Sequence, residues 1–183
     1  MNREDAFGLL TQYTTKEGLI KHALAVEACM REYAKRFGED EEEWGAVGLI
    51  HDFDYERYPD LSDHPFKGAE ILRSMNTKEQ WVRAILGHGD HTGVERDTKM
   101  AQTLYACDEL TGFVVAVALV RPSRKLADLM VKSVKKKLKD KAFAAKVSRE
   151  DIEKGAAELG IPLEEHIEFV IEAMKKVSDS IGL

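Results

Sequence analysis

Gly48-Leu49-Ile50-His51-Asp52-Phe53 sets a histidine and an aspartate side by side directly after an apolar run. Neighbouring side chains on a helix diverge by about 100°. An imidazole nitrogen and a carboxylate oxygen at these positions meet only where the helix ends, or at a point lying between their directions. A divalent metal ion, about 2.0–2.2 Å from each ligand atom, suits that geometry. One doublet holds a metal poorly, so partners are required. The chain offers His22 upstream and His64, His88 and Asp108 downstream.

Asp108 stands among Leu104, Tyr105, Cys107, Leu110 and Phe113, on a stretch whose pattern is that of a core helix. A carboxylate buried there requires a cation or good hydrogen-bond donors. Alone it reads as an aspartate bonded to a neighbouring helix; beside the His51-Asp52 doublet it reads as a ligand. His22 flanks the helical stripe Leu19, Ala23, Val26 and Met30. His64 and His88 sit at helix boundaries next to proline or glycine, where a side chain can reach a cleft or simply cap a helix end. His91 fits a supporting group, a substrate contact or a solvated loop residue. Asp54 and His91 are candidates for proton handling on proximity in sequence. His166, far along the last helix, reads as structural. The weight lies in the joint order His, His-Asp, His, His, Asp on separate segments.

The elements that must position these groups are helical throughout. The pattern predicts a short helix over 2–12 and a second one capped by Thr14 or Thr15 and stopped by Gly38. A third, capped by Asp40, runs from Glu41 to His51. Residues 52–64 form a loop with Pro59 and several aspartates, a candidate for mobility. Pro65 suits the first turn of a fourth helix. Another begins at Asn76 or Thr77 and ends near Gly87-His88-Gly89. Residues 89–97 are again a loop. Thr98 to Leu119 makes a long apolar helix ended by Pro122. A basic helix capped by Ser123 follows, then a shorter one around Lys139 to Lys146. Ser148 and Asp151 resemble a capping box for a helix ending at Gly160, and Pro162 opens a last helix reaching Ser180. With no strand pattern, the class is all-α.

A chain of 183 residues with 44% hydrophobic and 33% charged residues is most simply a single domain, 1–183, with an ordinary core. Cys29 and Cys107 lie in apolar helical patterns and read as reduced core residues. The charged start lacks a signal-peptide core, and the longest apolar run, Phe113 to Val120, is too short to cross a bilayer. A cytoplasmic protein without membrane contact is the expectation. That same run could face another copy of the chain, so a homo-oligomer is possible. The net charge of −6 conceals a basic segment, Arg121 to Lys146, with ten Lys/Arg against two Asp/Glu. It is either a solvated helix face or a grip for an anionic ligand; Arg121, Arg124, Lys125 and Lys132 are the candidates for holding a substrate phosphate.

Between about Leu19 and Val120 the chain resembles the HD-domain superfamily of metal-dependent phosphohydrolases, which is defined by a histidine, a His-Asp doublet and a distal aspartate on a helical bundle. Leu19-Ile20-Lys21-His22, Gly48-Leu49-Ile50-His51-Asp52 and Asp108 carry the match. His64-Pro65-Phe66-Lys67-Gly68-Ala69-Glu70-Ile71-Leu72 and Ile85-Leu86-Gly87-His88 resemble the segments that supply two more histidines in two-metal members. The resemblance implies an HD-like helical core over about 15–120, followed by a basic helical extension over about 121–183. It implies a first divalent metal on His22, His51, Asp52 and Asp108, and a second on His64 and His88 with Asp52 between them. Iron, manganese, cobalt, nickel or zinc fit such mixed ligands, and magnesium is possible. The implied activity is hydrolysis of a small phosphorylated substrate by activated water, with nucleic acid unlikely as a partner. No Gly-Tyr-Pro signature follows the histidine loop, which disfavours the cyclic-dinucleotide branch, and no synthetase or regulatory domain is attached, which disfavours a long-chain alarmone enzyme. Two rivals keep the same residues: a di-iron oxygenase resembling myo-inositol oxygenase, and a non-catalytic ligand-sensing module.

Overall fold

A computed structural model describes all 183 residues. It is all-α, with ten helices and no strand: α1 (Arg3–Tyr13), α2 (Glu17–Phe37), α3 (Glu41–Ile50), α4 (Phe66–Ser74), α5 (Glu79–Leu86), α6 (Lys99–Leu119), α7 (Val131–Leu138), α8 (Arg149–Leu159), α9 (Leu163–Lys175) and α10 (Ser178–Ile181). None is long and apolar enough to cross a membrane.

Helices α2, α3 and α6 carry the architecture. Gly38, in the left-handed conformation (φ 73°), ends α2, and Asp40 caps α3 by accepting from the Glu43 N–H at 2.9 Å. The two helices then pack along each other. Gly48 makes their closest approach possible: a Cβ there would lie 2.9 Å from Met30 Cγ and 3.1 Å from Glu27 Cα. That contact, three residues before His51, fixes the height at which α3 delivers the doublet. The buried Glu27 carboxylate is matched by two cations, Arg3 Nε at 2.6 Å and Arg31 Nε at 3.0 Å, which tie α1 to α2. Helix α6 packs against α2, α5, α7, α8 and α9. Its Phe113, Val114, Val117 and Ala118 are buried in the chain's own core, and only Leu119 and Val120 of the apolar run are exposed. One continuous hydrophobic core joins Ala6 to Ile181, so α7–α9 are packed parts of the body and not an appendage.

The structure departs from the sequence pattern at several element ends. Thr14 and Thr15 do not cap α2, which starts after Lys16 without a side-chain cap. Thr14 Oγ1 donates instead to the Phe53 carbonyl (2.9 Å), and the Thr15 hydroxyl donates to Glu56 (2.8 Å). With Arg57 bonded to the Gln12 carbonyl and lying over the Tyr13 ring, these contacts pin the 52–64 loop against α1. The fifth helix starts after Lys78, not at Asn76 or Thr77. Ser123 caps no helix; its hydroxyl donates to Asp128 (2.9 Å), and α7 begins only at Val131. Residues 139–146 form turns, because the carbonyls of Asp140, Phe143, Ala144 and Val147 all accept from the Arg149 guanidinium. The box at α8 is half made: Ser148 Oγ accepts from the Asp151 N–H at 3.1 Å, while the Ser148 N–H donates to Glu109 at 3.3 Å. The last predicted helix breaks at Val177 into α9 and α10.

His166 locks α9 to the rest. Fully buried, it accepts from the Tyr33 hydroxyl at Nδ1 (2.6 Å) and donates from Nε2 to the Ala106 carbonyl (2.9 Å). Burial lowers its pKa from 6.5 to about 4. Between those values the unfolded chain takes up a proton that the folded chain refuses, so stability falls as pH drops from about 6.5 to about 4. The shift corresponds to roughly 3 kcal/mol. Denaturant unfolding at pH 7 and pH 4.5 should show a smaller acid loss in His166→Gln than in the parent, by an amount of that order. An identical pH dependence in the two proteins would contradict this account.

Candidate metal centre

Helix ends place two of the six predicted ligands by the same local device. His51 follows the last residue of α3, and its Nδ1–H donates to the Gly48 carbonyl three residues back at 2.8 Å. His88 stands just beyond α5, and its Nδ1–H donates to the Ile85 carbonyl at 2.5 Å. In both cases a helix leaves a carbonyl without an intrahelical donor, and the imidazole takes it. This sets the tautomer and turns the bare Nε2 away from the helix. His64 is fixed differently: its Nδ1–H donates to Asp54 Oδ1 at 2.9 Å. His22 on α2 and Asp108 on α6 face each other across the interhelical seam, Nε2 to Oδ1 at 2.9 Å.

These groups form two triads, His22-His51-Asp108 and Asp52-His64-His88, each with its ligand atoms within 4.8 Å of one another. In the first, His51 Nε2 is 3.4 Å from Asp108 Oδ1. In the second, Asp52 Oδ1 lies 3.2 Å from His64 Nε2 and 3.3 Å from His88 Nε2, and the two imidazole nitrogens are 3.3 Å apart. Asp52 belongs to both neighbourhoods, since its Oδ2 lies 3.6 Å from His51 Nε2. The carboxylate therefore sits between the triads.

The donor set fits divalent cations. With their Nδ1 protons committed, His51, His64 and His88 direct lone pairs at carboxylate oxygens and at one another. His51 Nε2 and Asp52 Oδ1 are buried and have no hydrogen-bond partner. Orphaned buried acceptors at this density are costly unless positive charge lies among them. Protons meet the same demand: burial works against a charged His64, but Asp52 and Asp54 outweigh it and hold its pKa up to about 9. Burial likewise opposes ionisation of Asp52 and Asp108, and the surrounding histidines more than reverse it, so both stay below the usual carboxylate range.

The triads open onto a cleft of about 510 Å³, lined among others by Tyr55, Leu61, His91, Glu109, Gly112 and Asp151. Glu109 and Gly112 have no place in the sequence reading, and Asp151 enters it only as a helix-capping residue, although Glu109 follows Asp108 directly and Gly112 lies one helical turn beyond it. Burial, reinforced by the Asp108 charge, raises the Glu109 carboxyl to about 7.

Two predicted roles need correction, for Asp54 and for the basic quartet. Asp54 does not reach the cleft: it is fully buried, accepting from His64 and, at Oδ2, from the Gly68 N–H at 2.8 Å. It is a positioning residue for His64. Gly68 admits it, because a Cβ there would lie 2.9 Å from the carboxylate. His91 lines the cleft, but its Nε2–H is engaged by the His64 carbonyl at 3.0 Å. That bond holds the main chain of His64. The basic quartet is elsewhere. None of Arg121, Arg124, Lys125 or Lys132 lines the cleft. Arg121 pairs with Asp128 at 3.2 Å, and Lys132 belongs to a separate lysine-lined surface on α7.

No solved structure matches the chain. The family model described as HD domain matches residues 19–112, just over half of the chain, and this span contains all six residues of the two triads. The chain belongs to the HD domain family.

Proposed function

We propose that this protein is a metal-dependent phosphohydrolase acting on a small phosphate ester in the cleft above the two triads. The observation that carries the reading is the convergence of unpartnered imidazole and carboxylate acceptors at the cleft floor. His22, His51 and Asp108 would hold one divalent ion, and His64 and His88 a second, with Asp52 between them. Ions held there would acidify water and neutralise charge developing on a phosphoryl oxygen. The chain's own part is to hold the ligands rigid. Gly48 and Ile85 carbonyls orient His51 and His88, and Asp54, seated on the Gly68 N–H, orients His64. Preset ligand directions spare the site reorganisation when charge moves.

The direct test is elemental analysis of the isolated protein, followed by a phosphatase panel with Mn, Co, Ni and Mg. Asp52→Ala should lose bound metal and reduce activity to background; unchanged metal content in that variant would count against the assignment. Iron at two equivalents with no phosphatase activity would move the protein to the oxygen-activating branch. Asp54→Asn leaves every proposed ligand in place but presents an amide where Gly68 N–H and His64 Nδ1–H need two acceptors. Metal affinity should fall about 10–100-fold, read by competition with a chromogenic chelator, and affinity equal to the parent's would rule out the orienting role.

A further inference from the structure

The wall of the cleft beyond the triads has the wrong charge for a polyphosphate. No lysine or arginine lines it, while Asp90, Glu109 and Asp151 do. Asp90 is neutralised from the far side, by Arg96 at 2.8 Å and Lys154 at 2.5 Å. Glu109 and Asp151 have no such partner. Glu109 accepts from the Ser148 N–H (3.3 Å), and Asp151 accepts from the Tyr105 hydroxyl (3.0 Å). Ser148 joins the two, since its Oγ also accepts the Asp151 N–H. The pair is therefore held in place where α8 meets α6, on the α6 face that carries Asp108.

Between the ligands and this pair lies Gly112, one helical turn beyond Asp108. A Cβ at Gly112 would meet nothing within 4 Å, so the cleft is open above this residue. The location of a ligand is set independently of the acidic wall by the buried, unpartnered His51 Nε2 and Asp52 Oδ1. A group anchored at the triads that extends past Gly112 meets Glu109 and Asp151 on the same cleft wall.

Resting on the phosphohydrolase reading of the cleft, we infer that the substrate carries a single phosphate and, at the end of a short tail, an ammonium group that seats against Glu109 and Asp151. A second phosphate at that place would meet two carboxylates and no cation, an arrangement that selects against nucleoside di- and triphosphates by repulsion as much as it selects for an amine by attraction.

The inference is tested by calorimetric binding to the manganese-loaded protein, using three non-hydrolysable probes of similar size: 3-aminopropylphosphonate, butylphosphonate and 2-carboxyethylphosphonate. The ammonium probe should bind about tenfold more tightly than its methyl counterpart, equivalent to about 1.4 kcal/mol, and the carboxylate probe most weakly. In Glu109→Gln/Asp151→Asn that preference should collapse, with butylphosphonate affinity kept. Gly112→Val, which fills open space and should leave the melting temperature unchanged, should weaken all three. Equal or tighter binding of the neutral or anionic probe would overturn the inference. So would a preference that survives in the double variant, or no binding of the ammonium probe to protein that retains its metal. Ammonium preference in a protein that hydrolyses no phosphate ester would sink the phosphohydrolase reading and leave this one standing. Phosphatase activity with an anionic preference would do the reverse.

Discussion

The structure depends on holding like against like. Imidazole lone pairs and carboxylate oxygens are brought to within 3.2–3.6 Å of one another around Asp52, where without positive charge each repels the next. Packing elsewhere must oppose that repulsion. The six clustered side chains come from α2, α6, the ends of α3 and α5, and the irregular chain before α4, and those helices meet in a core whose buried ionisable groups away from the cluster are matched. Glu27 is answered by Arg3 and Arg31, and His166 by Tyr33 and Ala106. Among ionisable side chains the buried acceptors without a partner lie at the centre, where His51 and Asp52 supply one each; the Thr77 and Thr103 hydroxyls are the neutral exceptions elsewhere. Two buried acceptors left open side by side, where the other buried carboxylates are matched, make a place suited to a cation.

Rigidity at the centre comes from short-range bonds more than from the bundle as a whole. Helix ends supply carbonyls to His51 and His88, so the orientation of each ring follows from where its helix stops. His64 lies in irregular chain and needs a different support, and three contacts provide it: Asp54 on its ring, Gly68 behind Asp54, and His91 on its carbonyl. The 52–64 loop, polar and proline-containing, reads as mobile from composition. It is instead fastened by Thr14, Thr15 and Arg57 contacts from α1 and the α1–α2 turn. Its polar residues serve tertiary bonds, and local composition alone does not distinguish that from solvation.

This difference explains what was legible in the sequence. The six clustered residues were, because a histidine next to an aspartate after an apolar run, and an aspartate on a core helix, are anomalies visible one residue at a time. The helices were also legible, since period and caps are local: Asp40 and Gly38 act as read. The supporting groups were not. Asp54 looks like a second catalytic carboxylate until Gly68 is seen behind it. Arg121 looks like a phosphate grip until Asp128 is seen beside it. Glu109 and Asp151 are ordinary surface-type residues in sequence, and only the packing of α6 against α8 places them on the cleft. Each failure concerns a pair of residues, at least one of which has no anomaly of its own.

The segment after residue 120 is where the general pattern of the family ends, yet it is not peripheral to the site. Helix α8 contributes Asp151 to the cleft wall, its cap Ser148 engages Glu109 beside a ligand, and Tyr105 of α6 is held by Asp151 and covered by Arg96, whose guanidinium lies 3.6 Å above the ring. The basic residues that dominate this segment in composition point elsewhere: Arg149 organises the turn before α8, and the α7 lysines gather on a separate surface. A histidine-aspartate core common to a family can specify a metal, but the chemistry of what lies against that metal is decided by the walls. Here one wall is built where α8 of the C-terminal segment meets α6, and its carboxylates, Asp151 and Glu109, are the part of the cleft that the histidine-aspartate motif could not have foretold.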